Sequence, residues 1–177
     1  MFEEYLQDSY EFLVQAEKLA QAQNPREAQR YFRGAVFYAS GAMEAFVNYF
    51  GASFASAEST PSARTLYLTD KAIGFSSSKG VITKTEFHPL ENKLRILIMR
   101  FVPHFNFDSL PWNHLMEFKK LRDALVHPKE SEDERSPDEY KMEVRKGLKA
   151  TIQIMNDIIQ GMVGKPLRKQ ILDLIPN

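Results

Sequence analysis

The stretch "LRDALVHPK", residues 121–129, places Arg122, Asp123 and His127 close together in the chain. Between them these side chains can do metal-free acid–base work on an anion. An imidazole changes protonation near neutral pH, so it can both take up and release a proton. A guanidinium offers a rigid fork of donors that fits phosphate or carboxylate oxygens. A neighbouring carboxylate can orient either one. The same residues also make an ordinary helix C-terminus, where a cation complements the negative end of the helix dipole. Spacing alone leaves both readings open.

The element that must carry them is a helix over 111–126. At about 100° per residue, with Phe118 at zero, Leu125 falls at about −20°, Leu121 at about −60°, Leu115 at about +60° and Val126 at about +80°. Arg122 falls at about +40°, inside this apolar stripe, whereas Lys119, Lys120 and Asp123 fall outside it. The pattern predicts a guanidinium turned toward the interior or an interface, where an unpaired charge costs several kcal/mol. Pro128 pushes the residue before it out of the α region. The helix is therefore predicted to end at about Val126, freeing His127 to turn back toward Arg122.

A partner for Arg122 is expected on an earlier helix. Around Glu44, the residues Phe37, Ser40, Gly41, Val47, Asn48 and Gly51 share one face, and several are small enough to let another helix approach. A carboxylate on such a face also needs compensation. Glu44 paired with Arg122 satisfies both, with Asn48 one turn further on to complete the network.

The supporting elements read as helices with one irregular middle. Residues 2–22 place Phe2, Leu6, Leu13 and Ala20 at helical spacing. "NPRE" at 24–27 ends that helix and starts a second running to about residue 55, with Asn24 as cap, Pro25 first in the helix and Glu27 completing a capping box. Its middle, "AVFYASGAMEAFVNYF", is apolar nearly all round, which predicts a central buried helix. Over 57–88 loop compositions take over, with one short helix in "ARTLYLTDKAIGF" and an extended piece in "VITKTEF". Pro89 opens "PLENKLRILIMRF", and the 111–126 helix follows. "HPKESEDER" reads as a solvated charged loop. "SPDE" at 136–139 is a second capping box, for a long helix over 137–163, and "KPLRKQILDLI" adds a short terminal one. The expectation is an all-α bundle of five to six helices, a single domain over 1–177, with an irregular insertion around 57–88.

Composition narrows the chemistry. With 23 basic and 23 acidic side chains the formal net charge is zero. A general nucleic-acid binder is usually basic, so any RNA contact here must be local. The absence of cysteine excludes disulfides and thiolate catalysis and fits a reducing cytoplasm. No apolar run approaches the ~18 residues of a membrane span, and "MFEEYLQDSYEF" is unlike a signal peptide. A cytoplasmic protein with no membrane contact is expected. His114 and Glu117 stand three apart, but a di-iron bundle needs Glu-x-x-His twice. There is no glycine-rich phosphate loop, nucleophile elbow or zinc spacing. No metal and no cofactor are expected. His88 and His104 sit beside prolines as turn residues, and Phe105, Phe107 and Trp112 read as the lid of a core rather than a platform for bases.

"LRDALVH" at the end of an amphipathic helix, with "YASGAMEAFVN" on an earlier one, resembles the HEPN superfamily. Its signature is an arginine, a polar residue, several more residues and a histidine, matched by Arg122, Asp123 and His127. Many members have asparagine after the arginine where this chain has Asp123. An acidic residue on an earlier helix that contacts the motif also recurs, and Glu44 is the match. The likeness covers 25–60 and 110–160 best. It implies a helical bundle that dimerises, bringing two motifs together into one composite, metal-independent endoribonuclease site whose products end in 2′,3′-cyclic phosphate. Such proteins work in toxin–antitoxin, phage-defence and RNA-processing settings, which implies RNA as substrate and a protein antitoxin as partner. Other members keep the fold and act only as modules binding a partner protein or nucleotide. Fold does not decide between these.

Overall fold

The two longest helices of this chain, beginning at Pro25 and Pro137, start where the sequence caps or removes backbone donors. The computed structural model describes residues 1–127 and 135–176; most of the expected charged loop lies outside them. Helix α1 (Phe2–Gln21) gives way at Gln23, which takes φ 56°, and α2 (Pro25–Ala57) begins at once. Asn24 Oδ1 accepts from the Glu27 N–H at 3.4 Å, the cap expected there. Ser136 makes the full reciprocal capping box with Glu139 at the start of α6 (Pro137–Val163). Gly164 then closes α6 at φ 71°, a left-handed C-cap that costs a glycine nothing. Between these lie α3 (Ala63–Leu68), β1 (Lys71–Ser76), β2 (Gly80–Thr85), α4 (Leu90–Phe101) and α5 (Leu110–Val126), and α7 (Lys169–Leu172) ends the chain. The fold is all-α, with seven helices and one two-stranded hairpin among the described residues.

Two expectations change. "KAIGFS" is a strand, not the second half of a short helix. Asp70 takes φ 55° and breaks the chain out of α3, and the hairpin then gives Ile73 and Phe75 cross-strand partners in Thr83 and Val81. Helix α2 is not buried all round either. Phe37 is 44 % exposed and Tyr49 60 %, and Glu44 and Asn48 are exposed as well. Its buried side instead runs through Phe32, Ala35, Val36, Ala39, Met43, Phe46 and Phe50.

Compactness divides the chain into two units, Met1–Met43 with His104–Asn177, and Glu44–Pro103. The second is larger than the insertion expected around 57–88, since it takes in α4 and the part of α2 from Glu44 onward. Within it, Gly51 lies against the Leu68 backbone, 3.1 Å from the nearest oxygen to where a Cβ would stand. Phe54 stacks on Phe101 at 5.8 Å, and His88 lies flat on Tyr67 at 3.7 Å. The Asp70 carboxylate accepts from Lys93 Nζ and from the His88 N–H. That pairing is what allows Lys93 to be buried.

The first unit is built on the packing of α5 against α6. Trp112, Leu115, Phe118 and Leu121 form the buried side of α5. On α6, Tyr140, Val144, Leu148, Ile152 and Met155 are buried. The Phe118 ring sits directly over Gly147, so closely that a Cβ at 147 would overlap it. Phe12 of α1 similarly covers Gly34 of α2. Ser9, fully buried, is satisfied by donating to the Ala35 carbonyl at 2.8 Å. Glu17 clamps Arg145 through two hydrogen bonds of 2.6 and 2.8 Å, and Phe32 stacks on Tyr140 at 5.9 Å. Edge-to-face contacts at 5.0 and 6.1 Å put Phe107 and Phe105 over the buried Trp112, the core lid expected.

Gly147→Ala is expected to destabilise the protein by roughly 1–3 kcal/mol, the usual cost of overpacking a fitted core. Urea unfolding followed by circular dichroism checks this. An unchanged midpoint would mean that the Phe118 ring moves aside freely.

Candidate functional site

The last turn of α5 carries the motif, and Asp123 organises it. Its backbone carbonyl accepts from the His127 N–H at 2.9 Å, closing the helix. Its carboxylate accepts from Arg122 Nη1 at 3.0 Å and from Lys119 Nζ at 2.8 Å. One residue therefore fixes both the guanidinium and the start of the segment bearing the imidazole. Burial pushes the Asp123 carboxyl up, but the hydrogen bonds and charges of Lys119 and Arg122 outweigh it and hold the group below the ordinary carboxylate value. It is an anion under physiological conditions. Its side chain is 39 % exposed, so solvent screens these attractions and each contributes little to stability.

The helix stops at Val126, as the following proline predicts. His127 takes φ −122° and ψ 67° as the C-cap residue, outside the helical region. Its side chain is exposed, and among the described residues its imidazole has no hydrogen-bond partner. It is therefore reachable by a ligand. Arg122 retains one third of its side-chain exposure. The helical wheel placed it within the apolar stripe, but a wheel ignores position along the axis. By this point α5 is leaving the core: Leu125 is only half-buried and Val126 is 41 % exposed. Arg122 inherits that partial exposure and stays at a surface a partner can reach.

Glu44 and Asn48 are exposed residues of α2. Glu44 thus meets solvent, where the sequence pattern placed it on a face to be covered. The sequence reading missed Lys119, the second cation on Asp123. Its signal was present in the i, i+4 spacing of Lys119 and Asp123, which brings side chains together on any helix surface. Among the described residues, no group of three or more His, Cys, Asp or Glu side chains is placed to hold a metal ion. No helix there is long and apolar enough to cross a membrane.

Comparison with protein-family models, with curated proteins and with solved structures finds no match to this chain.

The depressed Asp123 carboxyl has a signed consequence. A folded-state value below the unfolded one contributes stability at neutral pH, and that stability is lost as pH falls through the folded value. Asp123→Asn is expected to be slightly less stable than the parent at pH 7, by under ~1 kcal/mol. The gap should close below about pH 4, the unfolded carboxylate range. Urea titrations of both proteins at pH 7 and pH 3 check it; a gap that persists at pH 3 would assign the loss to packing.

Proposed function

We propose that the protein is a metal-independent endoribonuclease of HEPN type that acts as a homodimer. The observation that carries the reading is the Asp123 hub. It ties Arg122 and the backbone of His127 to one helix end while leaving the imidazole exposed. That is how a site for proton transfer beside an anion is assembled from one short stretch.

The chemistry follows from the residue types. The 2′-hydroxyl of a ribose attacks the adjacent phosphorus, a P–O2′ bond forms and the P–O5′ bond breaks. The 2′ proton goes to a base, and the departing 5′ oxygen takes a proton from an acid. The products end in a 2′,3′-cyclic phosphate and a free 5′-hydroxyl. One histidine per chain supplies one of these transfers. A second chain, apposed through the C-terminal end of α5, supplies the other. Arg122 faces the charge that builds on the equatorial phosphoryl oxygens, where a forked cation is most effective. Asp123 acts through Arg122 as a positioning residue, and Glu44 and Asn48 are supporting residues. A toxin–antitoxin or phage-defence setting, with a protein antitoxin as partner, fits such an activity.

On a pool of single-stranded RNA, His127→Ala is expected to lower the cleavage rate by about 10²–10⁴-fold, the worth of a proton-transfer group. Because His127 is an exposed residue beyond the helix end, the fold should be intact by circular dichroism. Arg122→Ala should lower cleavage comparably, and EDTA should leave the parent rate unchanged. End-group analysis should find cyclic phosphate. Cleavage that survives His127→Ala, or that requires a divalent ion, would overturn the mechanism. No cleavage by any form would favour the alternative, a catalytically silent module binding a partner protein or nucleotide. In sedimentation at micromolar concentration the protein is expected to be dimeric; a monomer there would remove the composite site.

A further inference from the structure

Two clefts run side by side between α5 and α6, within the first unit. One, of about 570 Å³, is lined by His114, Glu117, Lys120, Arg135, Glu143 and Lys146, among others. The next, of about 450 Å³, is lined by Leu110, His114, Arg145, Lys146, Lys149 and Gln153, among others. They adjoin at His114 and Lys146, and the two together make a trough along α5. Its walls carry five basic side chains against two carboxylates, on a chain whose formal net charge is zero.

The charges are not equally available. Arg145 is already clamped by Glu17, and Arg135 holds Glu143 at 3.3 Å. Lys120, Lys146 and Lys149 are exposed, and among the described residues none has a carboxylate within ion-pair distance. Three ammonium groups with no ion-pair partner among the described residues thus line one trough, with the His114 imidazole beside them. The rims add apolar surface: Leu110 is 71 % exposed and Met142 51 %. A row of cations offers contacts to the phosphates of a polyanion.

We propose that this trough holds the ribose–phosphate backbone of a single-stranded RNA and leads it to the α5 end; the inference rests on the ribonuclease reading above and names where its substrate lies. The trough extends from Leu110 to Ala124, about 21 Å of helix at 1.5 Å per residue. That is room for a handful of nucleotides, since stacked bases rise about 3.4 Å each. Ala124 is three residues before His127, so a strand leaving the trough passes the helix end that carries the motif. The lysines supply affinity without reading sequence, as phosphate contacts do.

The test uses the full chain carrying His127→Ala, so that bound RNA is not consumed. A labelled twelve-nucleotide single strand is titrated by fluorescence anisotropy between 50 and 200 mM salt, against the same protein with Lys120→Ala, Lys146→Ala and Lys149→Ala combined. All three lysines are exposed, and thermal unfolding checks that the variant folds. Single-strand binding loses about 0.7 in the log–log salt slope per phosphate contact removed. The triple variant should therefore bind at least tenfold more weakly at 50 mM salt, with a slope shallower by about 2. Equal affinity and slope in the two proteins would overturn the proposal. So would polyglutamate binding that the triple variant loses while RNA fails to compete, which would make the trough a seat for an acidic protein. In the catalytically intact background the triple variant should raise KM more than it lowers kcat. If the parent cleaves RNA and KM is unmoved, the trough is wrong and the ribonuclease reading stands. If the trough binds RNA by these criteria and no form cleaves, the ribonuclease reading falls and the trough stands.

Discussion

The packing of the Phe118 ring over Gly147 is the constraint on which the first unit depends. With no side chain at 147, α6 presents a notch, and the ring fills it. A helix seated this way can neither roll nor slide without lifting an aromatic ring out of a fitted site, and interiors packed to crystal-like density resist that. The rotation of α5 is thereby set, and so is everything else it displays. Trp112, Leu115 and Leu121 go inward. Lys120 and His114 go to the trough beside α6. Arg122 and Asp123 emerge at the flank, where the guanidinium can reach both its neighbouring carboxylate and solvent.

Much of this was legible in the sequence, because the strongest local signals are those of helix ends. Asn24–Pro25 and Ser136–Pro137 mark helix starts through backbone chemistry that tertiary context rarely overrides. The proline after His127 placed the end of α5 at Val126. What was not legible depended on the third dimension. "KAIGFS" continues an apolar run, and nothing local announces that Asp70 will adopt a left-handed backbone. The apolar circumference of α2 suggested burial on every side, yet Phe37 and Tyr49 face outward. Arg122 was assigned to the interior or an interface by angle alone, though its depth is decided by distance along the axis. The Asp123 carboxylate that Lys119 and Arg122 share was visible as an i, i+4 spacing, but a helical wheel does not rank such a surface pairing.

Electrostatics in this protein is a matter of distribution rather than total. Asp70 and Lys93 cancel inside the second unit, Glu17 and Arg145 cancel across α1 and α6, and Asp123 gathers Lys119 and Arg122. After these neutralisations among the described residues, exposed lysines line one trough, and a formal charge of zero says nothing about it. Charges that are matched hold elements together; those left over are free to meet a ligand.

The first unit is discontinuous in the chain, with residues 104–177 completing what 1–43 begin. The Glu17–Arg145 clamp joins residues 128 positions apart. During synthesis at about 5–20 residues per second, the N-terminal pair of helices therefore waits some ~6–26 s for its partner strand of chain. Throughout that interval the apolar side of α1 and the Phe32 ring of α2 have no α6 to close on. The hairpin at 71–85, by contrast, needs only its own neighbours and can form within about 1–10 μs. A newborn chain thus carries a finished local unit in its middle while its beginning stays open. The time spent in that state, set by ribosome speed, governs how much of it a chaperone must shelter.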